Sequence, residues 1–85
     1  MYYVYILKSF KTDKHYIGHT ASIEKRLDKH NKGEVTSTRH AIPWECIYSE
    51  KYAVKNIAMK RELEIKSYKG GIKFKNLLNS KGIIR

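Results

Sequence analysis

The sequence predicts an α/β fold in which a small three-stranded antiparallel sheet is flanked by three helices. Three short runs are rich in β-branched and aromatic residues, as strands are, and they cover residues 2–7, 15–18 and 44–50. Helical patterns follow the second and the third run. Because 85 residues suffice for one small domain with a modest core, we expect a single domain over residues 1–85.

The first two runs form a β-hairpin with a polar loop between them. Alternation along the first strand places Tyr3, Tyr5 and Leu7 on one face and further apolar residues on the other, which is typical of a central strand. If Tyr5 lies opposite Tyr16, then Tyr3 lies opposite Gly18. In that register, the missing side chain of Gly18 leaves open space beside two phenol hydroxyls. We therefore expect a shallow site with polar tips on this surface.

The first helix is expected over residues 23–32. Ile23 and Leu27, four apart, give it a core stripe, and Arg26 and His30, also four apart, form a row beside that stripe. A charge so close to the core needs a partner, which makes Arg26 a candidate site residue. Two plainer interpretations stay open: Arg26 as a solvated surface charge, and His30 as a histidine at the edge of the core with satisfied hydrogen bonds.

A polar loop covers residues 31–43 and is long enough to be functional. Arg39 and His40 lie in this loop and can contact phosphate, although an ordinary solvated position is as good an interpretation of His40. Residues 44–50 then form the third strand. Pro43 stands just before this strand, where no ladder donor is needed.

The second helix is predicted from residue 53 or 54 to about residue 69, with an apolar side formed by Ile57, Ala58, Ile65 and Tyr68. Glu62 borders this side, whereas Glu64 points away from it. One acid is therefore held near the sheet, and the alternative is a simple salt bridge from Glu62 to a nearby Arg or Lys. A short third helix is predicted over residues 72–79, and residues 80–85 form a tail.

The charge of the chain favours a polyanionic partner. Lys and Arg number 18 against 8 Asp and Glu, so the formal net charge is +10. Nucleic acid is the first candidate, ahead of a membrane surface, because no amphipathic Lys-rich helix stands apart from the fold. A charge that serves solubility alone is the alternative.

A single cysteine, Cys46, excludes an internal disulfide and a Cys-rich zinc site. Its apolar neighbours predict a buried free thiol, in keeping with a reducing compartment. No signal peptide and no long apolar run is recognisable. We therefore expect a cytoplasmic protein that does not enter a membrane.

Five elements of a known signature occur in order along the chain: Tyr3-Val4-Tyr5, Tyr16-Ile17-Gly18, Arg26, His30 and Glu62. With ten residues between the two tripeptides, this pattern resembles GIY-YIG nuclease domains, the short stand-alone bacterial members in particular. That family is related to the N-terminal nuclease domain of the bacterial excision-repair incision subunit. The resemblance covers nearly the whole chain and implies the same α/β fold. Tyr3 stands where the motif has Gly, a departure that leaves Tyr5 in place.

The resemblance implies a metal-dependent endonuclease that hydrolyses phosphodiester bonds in DNA, in repair or recombination. Glu62 would be the sole protein ligand of one hydrated Mg²⁺ or Mn²⁺ ion. Tyr5 would act as general base on the attacking water, although a phenol's ordinary pKa of about 10 must then be offset by Arg26, the metal or both. Arg26 would also neutralise charge on the phosphate. Tyr16 and His30 would orient the phosphate and water or relay a proton.

The substrate is expected to be DNA, with RNA and branched DNA left open. The residues expected to contact it are Lys25, Lys29, Arg39, His40, Lys66 and Lys69, and Asn76 is a weaker candidate for the site. Family nucleases commonly carry a separate DNA-recognition domain, so a protein partner is one way to supply target selection. The alternatives are a non-catalytic DNA- or RNA-binding module with the same basic surface, and a domain that binds an acidic protein. A lone acid beside phosphate favours catalysis over binding alone.

Overall fold

Three antiparallel strands and three helices make up the architecture, which confirms the predicted fold class. The computed structural model describes residues 1–80, so the rest of the predicted tail lies outside it. The elements in chain order are β1 (Tyr2–Ser9), β2 (His15–Thr20), α1 (Ile23–Asn31), β3 (Trp44–Tyr52), α2 (Lys55–Ser67) and α3 (Ile72–Leu78), with a 3₁₀ turn at Arg39–Ala41. Within the described residues, no helix is long and apolar enough to cross a membrane.

Strand β1 lies in the centre of the sheet, with β2 on one side and β3 on the other. Its two faces are buried by different helices. On the side we call the α2 face, its side chains pack with residues of α2 and α3: Val4, Ile6, Ala58, Ile65 and Phe74. On the opposite side, the α1 face, they pack beneath α1 and the 3₁₀ turn, in a cluster that includes Tyr5, Leu7, Ala41 and Trp44. Both faces of β1 are therefore core, as its sequence predicts.

The hairpin register differs by two residues from the expected one. Tyr5 pairs with Gly18, and Tyr3 pairs with Thr20, so Tyr16 is not opposite Tyr5. Because strand side chains alternate with a period of two, a shift of two residues leaves Tyr5 and Tyr16 on the same face. The expected register was wrong, but the expected face was right.

The turn between β1 and β2 sets this register. The Ser9 hydroxyl accepts hydrogen bonds from the backbone N–H groups of Lys11 and Thr12, both at 3.0 Å. The backbone N–H of Ser9 donates to the carbonyl of Lys14 at 2.9 Å. Asp13 has a φ of +60°, a left-handed conformation that Asp tolerates. The chain therefore reverses directly after Ser9. Each residue of β1 pairs with a residue of β2 that lies two positions later in the chain than expected.

Two predicted helix faces also differ from the structure. In α1 the fully buried side chain is His30, whereas Ile23 and Leu27 are only half-buried. In α2 the side chain of Ile57 is 51 % exposed and does not belong to the core side. Cys46 is free and half-buried, and burial raises the pKa of its thiol.

Candidate active site

Four of the five residues that the motif singles out lie together on the α1 face. Tyr5 comes from β1, Tyr16 from β2, and Arg26 and His30 from α1. The ring of Tyr16 lies 4.8 Å from that of His30, and the ring of Tyr5 lies 6.2 Å from both. They converge because β1 and β2 are neighbours in the sheet and His30 of α1 contacts both Tyr5 and Tyr16 on the same face. We call these four residues the phenol–histidine cluster.

The Tyr5 ring packs directly against the backbone of Gly18. A Cβ atom at Gly18 would lie 2.7 Å from the hydroxyl oxygen of Tyr5, 2.9 Å from its Cζ and 3.2 Å from Cε2 of Tyr16. The space beside Gly18 is therefore filled by Tyr5 itself, and the expectation of open space there was wrong. A residue without a side chain is needed at this position because a ring crosses the backbone at van der Waals distance.

His30 is fully buried and has a partner at each ring nitrogen. Its Nε2 lies 3.3 Å from the Tyr5 hydroxyl, and its Nδ1 lies 2.8 Å from the hydroxyl of Thr38. Burial, assisted by the nearby charge of Arg26, lowers the pKa of His30 to about 4. The imidazole is therefore neutral at pH 7. The interpretation of His30 as a residue at the edge of the core was wrong, and Thr38 was missed because nothing in its polar loop marks it.

Tyr5 holds its proton at neutral pH. Burial raises the pKa of its hydroxyl to about 12, and the phenol of Tyr16 and the carboxylate of Glu62 act in the same direction. Arg26 acts against these effects but does not outweigh them. The arrangement of the side chains alone therefore does not ionise Tyr5.

Arg26 is half-buried, and its guanidinium lies beside two phenols. Hydrogen bonding to Tyr5, and to a smaller extent to Tyr16, raises the pKa of Arg26 above its ordinary value. None of the ion pairs within residues 1–80 includes Arg26. Since phenols leave the charge of the guanidinium uncompensated, Arg26 can bind an anion at this surface.

Glu62 reaches the cluster from the opposite face of the sheet. It lies on α2, and its side chain is 14 % exposed at edge strand β2. Its Oε1 is 2.5 Å from Nδ1 of His19, and its Oε2 is 2.5 Å from the ammonium of Lys66. Burial by itself raises the pKa of Glu62, but the hydrogen bonds from Lys66 and His19 outweigh it, so the pKa is lowered and the carboxylate is ionised.

Glu62 is therefore not on the face that carries the other four residues of the motif. Glu62 interacts electrostatically with Tyr5, whereas the other four residues lie on the α1 face. The simple alternative, a salt bridge from Glu62 to a lysine, is present with Lys66. His19 was missed, although strand alternation places it on the α2 face, opposite in direction to Gly18.

Comparison with known proteins decides the family. A family model described as the GIY-YIG catalytic domain matches residues 1–75. This chain belongs to the GIY-YIG family. The GIY-YIG domain of this chain therefore has the fold and the residue pattern of a family of nucleases.

Several proteins similar to this domain carry the name UPF0213. One from Staphylococcus saprophyticus is 40 % identical over 68 residues, which is 79 % of this chain and 82 % of that protein. One from Natronomonas pharaonis is 40 % identical over 67 residues, 78 % of each chain. The solution NMR structure of a UPF0213 protein from Bacillus halodurans has a TM-score of 0.61 and 32 % identity, and it covers 96 % of this chain and 87 % of that one.

The donor set of the GIY-YIG domain fits a hard, hydrated divalent ion. GIY-YIG nucleases generally depend on a divalent metal. Within residues 1–80 no three or more His, Cys, Asp or Glu side chains are grouped to hold a metal. Glu62 offers an ionised carboxylate, and each of its oxygens keeps a lone pair beyond its hydrogen bond to His19 or Lys66. Mg²⁺ is commonly held by one or two carboxylates while it keeps several waters.

Basic residues predicted to contact nucleic acid occupy three places on the GIY-YIG domain. Lys25 and Lys29 line a cleft of about 370 Å³ together with Arg26, at the start of α1. Arg39 and His40 are exposed on the 3₁₀ turn. The remaining candidates lie on or after α2 and on α3: Lys66, which pairs with Glu62, and the exposed Lys69 and Asn76. The first group adjoins the phenol–histidine cluster.

Proposed function

We propose that this chain is a divalent-metal-dependent endonuclease that hydrolyses phosphodiester bonds in DNA, in repair or recombination. The observation that carries this proposal is the state of Arg26, a half-buried guanidinium beside two phenols with no ion pair within residues 1–80. A phosphate is the anion that fits this position, because Arg binds phosphate through directed, charge-assisted hydrogen bonds. The ionised carboxylate of Glu62 within electrostatic reach of Tyr5 adds a cation-binding group.

In the proposed reaction, Arg26 binds the scissile phosphate and compensates the charge that develops on it. Tyr16 orients the phosphate from the neighbouring strand. Glu62 would hold Mg²⁺ or Mn²⁺, which when bound stabilises negative charge on the phosphate and the leaving oxygen. Lys25 and Lys29, on the cleft beside Arg26, would follow the adjoining phosphates.

Tyr5 is the proposed general base, and it takes the proton of the attacking water only as it gives up its own. His30 Nε2, 3.3 Å away, is the adjacent acceptor. The gap between a pKa of about 12 for Tyr5 and about 4 for His30 corresponds to roughly 11 kcal/mol for a complete transfer in advance of the reaction. We therefore propose that the two proton transfers occur together with water attack, so that no free phenolate is required.

DNA is the proposed substrate, and RNA and branched DNA remain alternatives that the experiment includes. Target selection is proposed to come from a protein partner. A cytoplasmic location stays a prediction.

The test is cleavage of labelled branched, nicked and single-stranded DNA and of RNA with Mg²⁺ or Mn²⁺. Glu62→Gln should abolish cutting while binding stays equal or becomes tighter, because an anion is removed from a phosphate-binding surface. Glu64→Gln is the matched control on the same helix, since Glu64 pairs with Arg61 at an exposed position. Tyr5→Phe should lower the rate by about 10²–10⁴-fold. No cutting by the wild type, or full activity of Glu62→Gln, would refute the proposal.

A non-catalytic nucleic-acid-binding module is the second candidate. It is favoured by one observation: both oxygens of Glu62 already have basic partners, His19 and Lys66. Both candidates require salt-sensitive binding, with a log–log slope well below −2 if several phosphates each contribute about 0.9 on duplex DNA. A flat salt titration would exclude both and favour an acidic protein partner.

A further inference from the structure

Thr38 is a buried hydroxyl that the motif does not include, and it contacts His30, a fully buried residue of the proposed site. Its side chain is 1 % exposed, and its Oγ1 lies 2.8 Å from Nδ1 of His30. Residues 30 and 38 come from different parts of the chain, one from α1 and one from the loop before β3. The contact is therefore made by the tertiary fold.

The hydrogen-bonding capacities of the neighbours determine which nitrogen of His30 carries the proton. Within residues 1–80, the partner at hydrogen-bond distance from the Tyr5 hydroxyl is Nε2 of His30, at 3.3 Å, and the neighbouring Arg26 can only donate, so Nε2 is the acceptor available to the Tyr5 proton. Nε2 must then be the acceptor, and Nδ1 of the neutral imidazole carries the proton. Thr38 Oγ1 then accepts the hydrogen bond from Nδ1–H, and its own hydroxyl lies 3.4 Å from the carbonyl of Val35, which also accepts the backbone N–H groups of Thr38 and Arg39 at 3.1 Å. In the reverse arrangement, with the proton at Nε2, the Tyr5 proton would lose the acceptor that Nε2 provides, which favours the proton at Nδ1.

Thr38 is itself held firmly in place. The indole N–H of Trp44 donates to the backbone carbonyl of Thr38 at 2.9 Å, and the backbone N–H of Ala41 donates to the same oxygen at 3.1 Å. Trp44 and Ala41 belong to the buried cluster of the α1 face. Hydrogen bonds from two buried residues therefore fix the position of Thr38, and with it the position of its hydroxyl beside His30.

We propose that Thr38 is a positioning residue that holds His30 in the tautomer protonated at Nδ1 and thereby keeps Nε2 free to accept the proton of Tyr5. When that proton moves, the O–H bond of Tyr5 breaks as an N–H bond forms at Nε2. The resulting imidazolium keeps its proton at Nδ1, which donates to the hydroxyl oxygen of Thr38. The consequence for catalysis rests on the proposed nuclease function, whereas the tautomer is a property of the protein without substrate.

The test is the side-chain ¹⁵N spectrum of the uniformly labelled protein at pH 7. The His30 signals are assigned by their loss in His30→Gln. In the wild type we expect a protonated Nδ1 and an unprotonated Nε2. Thr38→Val keeps the shape of the side chain but removes the acceptor, so the proton should move wholly or partly to Nε2. Thr38→Ser keeps the hydroxyl and should restore the wild-type spectrum.

Two results would overturn the inference: a wild-type His30 protonated at Nε2, or a folded Thr38→Val protein with the proton still at Nδ1. The Trp44 indole resonance reports whether the loop keeps its place, because its bond to the Thr38 carbonyl does not involve the hydroxyl. If Thr38→Val does not fold, the wild-type and Thr38→Ser spectra still decide where the proton lies.

A second readout separates this inference from the proposed function. Thr38→Val should lower kcat by about 10- to 100-fold, the usual cost of losing a partner that orients a functional histidine, with KM unchanged and with rescue by Thr38→Ser. If the wild type cuts no substrate, the nuclease proposal fails while the tautomer result stands. If the wild type cuts and Thr38→Val cuts equally well, the positioning role fails alone.

Discussion

Two clusters of tyrosine and arginine lie on opposite faces of the same sheet, and they differ in what partners the arginine. The phenol–histidine cluster on the α1 face holds Arg26 beside two phenols. On the α2 face, the Glu50 cluster consists of Glu50, Arg61, Tyr48 and Tyr52. There Arg61 donates to both oxygens of Glu50, at 2.7 and 2.8 Å.

The Glu50 cluster is complete within itself. The hydroxyls of Tyr48 and Tyr52 donate to Glu50 at 2.5 and 2.6 Å, so the carboxylate accepts four hydrogen bonds, which is its full capacity. Arg61 also donates to Glu64 at 2.9 Å. These bonds join β3 to α2 and leave no positive charge of the cluster uncompensated.

The comparison teaches that residue types do not distinguish a structural cluster from a binding one. Both clusters combine phenols with an arginine, and both would look alike as a list of residues. The two clusters differ in their carboxylate. Glu50 neutralises Arg61, whereas no carboxylate pairs with Arg26 within residues 1–80. We therefore expect Arg61 to matter for stability and Arg26 for binding and chemistry.

The largest expected effect is that of Arg26→Gln on cleavage. Removal of the guanidinium should lower kcat/KM by about 10²–10³-fold, the usual cost of losing one group that stabilises transition-state charge. The free energy of unfolding should change by less than about 1 kcal/mol, because no ion pair within residues 1–80 is lost. Steady-state kinetics and urea denaturation measure the two quantities. Arg61→Gln, assayed where it is folded, should keep the wild-type rate, and an equal loss in both variants would contradict the comparison.

The next effect is a loss of stability on acidification that begins near pH 6.5. Burial lowers the pKa of His30 to about 4 in the folded protein, against 6.5 for an ordinary histidine. As pH falls from 6.5 to 4, His30 binds a proton in the unfolded chain but not in the folded protein. The free energy of unfolding therefore falls by up to roughly 3 kcal/mol over this range. Above pH 6.5 the contribution of the neutral His30 to the free energy of unfolding is fully present.

Urea denaturation at a series of pH values from 7.5 to 4 measures this loss. His30→Gln should remove most of the slope in that window, although it lowers stability at pH 7; the remainder comes from His15, whose pKa is also lowered by burial and by Lys8. In Glu50, burial raises the pKa, but the bonds from Arg61, Tyr48 and Tyr52 outweigh it and lower the pKa below 4.5. Its contribution is therefore lost only below about pH 4.5, so a wild-type curve that is flat down to that pH would show that His30 titrates normally.

Arg61→Gln should destabilise the protein by about 2 kcal/mol. The loss of one partner from a fully buried ion pair costs about 3–5 kcal/mol, and the lower figure applies because Arg61 and Glu50 keep 22 % and 16 % of their side-chain surface exposed. Thermal or urea denaturation at pH 7 tests this value. Glu64→Gln is the control, since it removes only the exposed partner of Arg61 and should cost less than about 0.5 kcal/mol. Equal costs for the two variants would mean that the Glu50 cluster does not join β3 to α2.

Gly18→Ala should destabilise the protein by about 1–2 kcal/mol, no more than Arg61→Gln. The new methyl group would lie 2.7 Å from the Tyr5 hydroxyl oxygen, so the ring must shift. The cleavage rate should fall by more than this cost implies, because the Tyr5 hydroxyl leaves its place beside His30. Gly70→Asn is the control, since nothing lies within 4 Å of a Cβ there and Asn tolerates its φ of +72°. Unchanged stability and rate in Gly18→Ala would show that the contact is not tight.

By itself, the sequence determined the elements and the directions of their side chains. The alternation of β-branched and aromatic residues predicted the strands and placed Tyr5 and Tyr16 on one face. The helical spacing predicted that Arg26 and His30 share one side of α1 and that Glu62 borders the inner side of α2. These properties follow from neighbours along the chain, because the periods of strand and helix are local.

Only the tertiary structure decided the hairpin register, the burial of His30, its bond to Thr38 and the partners of Glu62. The register depends on how the turn after Ser9 closes, and the contacts of His30 depend on how α1 and the loop before β3 pack on the sheet. The pKa values of Tyr5 and His30 follow from that packing, because water is excluded by residues that are distant in the sequence. No local pattern specifies such contacts, since they arise only when separate elements come together.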